Sequence, residues 1–99
     1  MASGAAKVVR GATVGDGTAQ NIRSVGFRPR SVKLINVTSG DEMFWQEGMA
    51  DDEGFKRIAA GAGALVVSDG VIPLSDGFTL GADADMNVAA EKVLWEATE

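Results

Sequence analysis

Turn chemistry punctuates this chain so regularly that short strands are its natural element. Val14-Gly15-Asp16-Gly17, Thr38-Ser39-Gly40-Asp41, Ser68-Asp69-Gly70 and Ser75-Asp76-Gly77 each join a glycine, which tolerates positive φ, to Asp or Ser side chains that bond the local backbone. Between these signals lie brief runs rich in Val, Ile, Phe and Trp, at spacings of roughly ten residues. That rhythm predicts an all-β fold, a small antiparallel β-sandwich or barrel. At 99 residues the chain makes one domain with a single modest core and little room for a deep cleft.

Ser31 to Val37 is the best strand of the first half, and Glu42 to Glu47 reads as its hairpin partner. Thr18 to Ser24, with Ile22 as its one strong apolar residue, suits an edge strand, and Pro29 bars a central strand nearby. Gly11 weakens the run from Lys7 to Val14, and Met1 to Ala6 is small and polar enough for a flexible arm. The organisation expected is therefore an arm and first strand over residues 1–17 and a β domain over 18–99. Gly48 to Gly54 reads as an acidic loop, and Phe55 to Ala60 as a strand or one helical turn. Ala64 to Val67 and Val71 to Leu74 read as two separate short strands, followed by Phe78 to Leu80. Val88 to Ala97 completes the set as a strand, although its Ala, Glu, Lys and Leu content also suits a helix.

Neighbouring residues on a strand point to opposite faces. A small sheet with one wet face should alternate apolar and polar residues, and several of these strands do not. Val32 and Leu34 share one face while Ile35 and Val37 share the other; Met43 and Trp45 oppose Phe44; Leu65-Val66-Val67 and Val93-Leu94-Trp95 are apolar on both sides. The pattern predicts burial in a subunit interface, with Met43, Phe44 or Met49 meeting another chain. The alternative is that bulges or local twist place both sides in the core, or that a lone Phe is simply exposed.

Catalytic chemistry has little to work with. The chain has no His, Cys or Tyr, which excludes a Ser–His–Asp triad and thiolate chemistry. No carboxylate pair stands out for general acid–base work, Lys33 and Lys56 read as solvated charges, and Gly61-Ala62-Gly63 lacks the spacing of a phosphate loop. Neither a catalytic residue nor a cofactor is expected. Asp83-Ala84-Asp85-Met86-Asn87 matches the opening of a calcium loop. However, Val88 stands where the loop needs glycine, and Leu94 where it needs a bidentate Glu. The run reads as a turn, with a hard cation as the alternative and no metal expected. Trp45 and Trp95, each flanked by apolar residues, read as core rather than as a sugar-stacking platform.

Charge is uneven along the chain. Six basic residues against four acidic ones give the first fifty residues a net +2, and three against ten give the remainder −7. The acidic second half argues against binding a nucleic acid backbone. The cluster Arg23, Arg28, Arg30 and Lys33 forms a solvated rim or meets an acidic partner patch, and Asp51-Asp52-Glu53 forms a loop tip or supplies such a patch on a neighbour. No apolar run reaches the ~20 residues needed to span a bilayer, so no membrane partner is expected.

Gly26-Phe27-x-Pro29-x-x-Val32, and later Gly77-Phe78-x-x-Gly81-x-Asp83-Ala84-Asp85-x-Asn87 before a last strand with an aromatic residue, resemble small virion proteins of tailed bacteriophages. Proteins of this kind are often encoded near the major capsid protein and are read as head decoration (cement) proteins. The likeness spans roughly residues 20 to 97 and rests on turn-and-strand marks; a Pro-rich amino-terminal arm is missing. It implies a compact β domain, commonly a homotrimer, that is made in the host cytoplasm and sits on the capsid surface, clamping subunits of the major capsid protein. In that setting Lys7, Val8, Val9 and Arg10 belong to an arm that pairs with a strand edge of the capsid. Arg28, Arg30, Met43, Phe44 and Met49 then complete the expected interface, and removal of residues 1–14 should leave the domain folded. A tail or head–tail connector subunit, or a monomeric glycan- or ion-binding β module, are the alternatives.

Overall fold

The computed structural model describes residues 7–59, 61 and 63–99, and among them it contains eight strands and no helix. They are β1 (Val8–Val14), β2 (Gln20–Ile22), β3 (Ser31–Asn36), β4 (Glu42–Gln46), β5 (Glu53–Arg57), β6 (Gly63–Leu74), β7 (Gly77–Leu80) and β8 (Lys92–Thr98). All pair antiparallel in one strongly curled sheet, a half-barrel of order β1-β8-β3-β4-β5-β6-β7-β2. The all-β expectation is met. The arm expected at Met1 to Ala6 lies outside the described residues.

The β3–β4 hairpin forms as anticipated, in register from Ser31↔Gln46 to Ile35↔Glu42. Its turn is held by Asn36, whose Oδ1 accepts from the backbone N–H groups of Thr38 (2.9 Å) and Ser39 (3.1 Å), while Gly40 takes a φ of 85°. This is the local bonding for which Asn suits such positions. The strand β2 is an edge strand, as expected. The carboxy-terminal segment is a strand from Lys92 onward rather than a helix: it pairs with β1 along Lys92–Thr98 and with β3 along Val93–Thr98, and Ala90 turns into it at a φ of 68°.

The two short strands expected over residues 64–74 form one long strand with a corner in it. Residues 63–66 of β6 pair with β5, and residues 71–74 pair with β7. The register slips between Glu53 and Gly54, so that residues 67–70 oppose nothing on β5. Asp69 takes a φ of 60°, and backbone presses against backbone here: a Cβ on Gly70 would overlap the Glu53 carbonyl, and one on Gly81 would overlap Asp69. The corner turns β7 back over the sheet, and Phe78 meets Trp95 of β8 edge to face at 5.5 Å although the two strands lie far apart in sheet order. One core results, built from Val32, Leu34, Trp45, Val71, Phe78 and Leu80 among others.

Two expectations about the amino terminus need correction. Val8–Val14 is not an arm awaiting another chain: it pairs along its whole length with β8, from Val8↔Thr98 to Val14↔Lys92, and Val9 packs on the core. Nor does Gly11 weaken this strand. It lies over the indole of Trp95, where an added Cβ would sit 2.7 Å from a ring carbon. Glycine is what allows β1 to cover Trp95, and removal of residues 1–14 would uncover the core. Substituting Gly11→Val should destabilise the domain by about 1–3 kcal/mol, the usual cost of overpacking. Urea unfolding followed by tryptophan fluorescence measures this, and an unchanged midpoint would refute the close packing of β1 on Trp95.

Candidate interaction face

Alternation along the strands sends one set of side chains into the core and leaves the opposite set outside. Inward go Val32 and Leu34 from β3, Met43 and Trp45 from β4, and Val93, Trp95 and Ala97 from β8. Outward go Lys33 and Ile35, Phe44, Leu94 and Glu96, Phe55 of β5 and Leu65 of β6. Cross-strand register arranges the outer set in rows, of which one runs Arg10–Glu96–Lys33–Phe44–Phe55–Leu65 and the next Ala12–Leu94–Ile35–Glu42–Arg57. Together Ile35, Phe44, Phe55 and Leu94 floor a concavity of ≈ 780 Å³. Charged pairs flank it: Arg10 Nε to Glu96 at 2.8 Å on one side, Arg57 to Glu42 at 3.9 Å on the other. An apolar centre within a polar rim is the anatomy of a protein–protein contact.

The doubled apolar faces read from the sequence are thus real, and their second side is bare in this chain. Phe44 lies on it, half-buried. Met43 does not: it is 2% exposed and packed over Gly54, so its place in the expected interface is withdrawn. Met49 is half-buried against the core, with its Sδ 3.4 Å from the backbone N–H of Gln46. The basic residues are engaged singly instead of pooling into a patch. Arg23 bonds Asp76 at 2.9 Å, Arg28 donates to the Pro73 carbonyl at 3.3 Å, and Arg30 lies 3.5 Å from Glu47. Lys7 and Val8 are exposed at the start of β1, and Arg10 stands at the edge of the outer face.

Phe55 and Leu65 are the members of this face that strand patterning missed as site residues. In Phe55-Lys56-Arg57 the apolar residue points out and the lysine points in, the reverse of any hydropathy rule. The cause is Asp83-Ala84-Asp85. The Lys56 ammonium lies 3.0 Å from one carboxylate oxygen of Asp83 and 2.7 Å from Asp85, with only 17% of its side chain exposed. Buried Asp83 also accepts the backbone N–H groups of Asp85 (2.9 Å) and Met86 (3.0 Å). Asn87 bonds Gln20, Asp16, Thr18 and Gly81, tying the loop to the first turn. The sequence read as a possible cation loop is a turn whose cation is the chain's own lysine, and among the described residues no cluster of three or more metal-ligating side chains forms.

Both tryptophans are buried, which removes the sugar-stacking platform: Trp45 Nε1 donates to the Ala50 carbonyl at 3.1 Å, and the indole of Trp95 lies under Gly11.

Desolvation pulls the Lys56 pKa down, but its hydrogen bonds and Coulomb attraction to Asp85 and Asp83 outweigh that, and the group ends above the ordinary lysine value. A raised pKa contributes stability that is complete below the unfolded-state value, near 10.4, and is lost as pH climbs through the folded one. Lys56→Met should cost about 2–4 kcal/mol at neutral pH by leaving Asp83 buried without its partner. Wild type should approach the variant's stability as the pH rises beyond about 10.5. Parallel urea titrations of the two proteins test this, and a gap that persists unchanged in strong alkali would refute it.

No family model, curated protein or solved structure matches the chain.

Proposed function

We propose that this chain is a structural virion protein, a head decoration protein of the tailed-bacteriophage kind, that bridges subunits of the major capsid protein and performs no catalysis. The observation that carries the reading is the outer face of the sheet. Ile35, Phe44, Phe55 and Leu94 stand on it side by side, on a chain whose opposite face already holds a complete core. Adjoining exposed apolar side chains rimmed by charged ones are the kind of surface that marks interaction sites. The glycine and aspartate marks shared with small virion proteins support the same reading. Gly81, Asp83 and Asn87 serve the corner and the loop that follows it, and Gly77 lets β7 close on the Ile22 carbonyl of β2.

In this reading the face lies on the capsid, with Arg10, Lys33, Glu42 and Arg57 forming its rim. Many copies on one shell would turn individually weak contacts into a firm hold. Sedimentation with empty, expanded shells of a tailed-bacteriophage major capsid protein tests the proposal. Wild type should travel with the shells, and Phe44→Glu together with Leu94→Glu should weaken that by tenfold or more while the near-UV spectrum stays native. Binding that survives both substitutions would move the contact elsewhere, and absence of binding by wild type would sink the capsid reading.

A further inference from the structure

The first half of β6 leaves a local edge that carries none of the usual protection. Along residues 63–66 of β6 the partner is β5, and pairing with β7 begins only at Val71, so among the described residues the other side of this segment is unpaired. Exposed strand edges are normally blunted by charge, proline or shortness. The chain's other edges follow that rule, since β1 carries Arg10 and β2 is three residues long. By contrast Gly63-Ala64-Leu65-Val66-Val67-Ser68 has neither charge nor proline, and Leu65 and Val67 are 55% and 71% exposed.

From this edge we infer that the chain pairs with a second copy of itself, β6 against β6, antiparallel about a two-fold axis at Leu65. Three observations select a copy over another partner. The segment is uncharged, so two identical edges meet without like-charge repulsion. Leu65 also ends the row Phe44–Phe55–Leu65, and pairing Leu65 with its counterpart extends that row to six large apolar side chains across two chains. Finally, the two ends of the edge are complementary. Its glycine end lies beside Arg57, in register with Gly63, and its other end carries Asp69 and adjoins Asp52, whose carbonyl accepts from Gly70. Antiparallel pairing centred on Leu65 sets Val67 of each copy opposite Gly63 of the other and brings the acidic end of each edge toward the Arg57 end of its partner. The contact is isologous and closes at two, so it makes no fibre.

This pairing is read on the isolated chain and stands without the capsid proposal. Light scattering should give a dimer of the 10.2 kDa chain, and Leu65→Lys or Leu65→Glu alone should give monomers with native near-UV spectra. Mixing the two variants should restore a dimer containing one of each, because the substituted residues face each other. Since the chain has no cysteine, Leu65→Cys should also form a disulfide-linked dimer under mild oxidation, and do so faster than Val67→Cys. A wild-type monomer at about 10 times the concentration used for the variants, a trimer, or a dimer indifferent to Leu65→Lys would each overturn the inference.

Discussion

The corner in β6 is the constraint on which the rest of the molecule depends. A single sheet cannot cover its own faces, and a chain of 99 residues has apolar area for about one core. By slipping four residues out of register with β5, the strand folds the β7 end of the sheet over the inner face and seals it. Backbones come close enough there that Gly70 and Gly81 leave no room for a side chain. Only because of this bend does Phe78 reach Trp95. The same bend strands the first half of β6 at an edge and leaves the outer face uncovered, so that the closed core and the open surface have one geometric origin.

Much of this was legible in the residues and some was not. The β3–β4 hairpin, the edge position of β2 and the two-sided apolarity of β3, β4 and β8 follow from local alternation and turn chemistry, which need no knowledge of distant partners. Met43 and Phe44 show where that reasoning stops. Alternation places them on opposite faces, but only the packing of Met43 over Gly54 reveals which of the two is inside. Likewise, a glycine in a strand looks like a weakness until Trp95 is seen beneath Gly11. The inversion at Phe55-Lys56 was invisible for a stronger reason: burying a lysine is favourable only because Asp83 and Asp85, some thirty residues away, arrive at its ammonium.

Surface charge follows the same division. Although the chain carries −5 overall, three basic and two acidic side chains surround the outer concavity, and the acidic excess lies elsewhere. Like copies therefore repel over most of their surface and least where the apolar side chains stand, which favours specific approach over general stickiness.

A loop clipped by a bound divalent ion holds only as well as the surrounding medium supplies that ion, since occupancy follows free concentration by mass action. Lys56 is attached to the same chain as the carboxylates it neutralises, so its local concentration is set by the fold and not by the medium. Dilution cannot strip it. The charge balance of this loop is therefore carried by the chain itself.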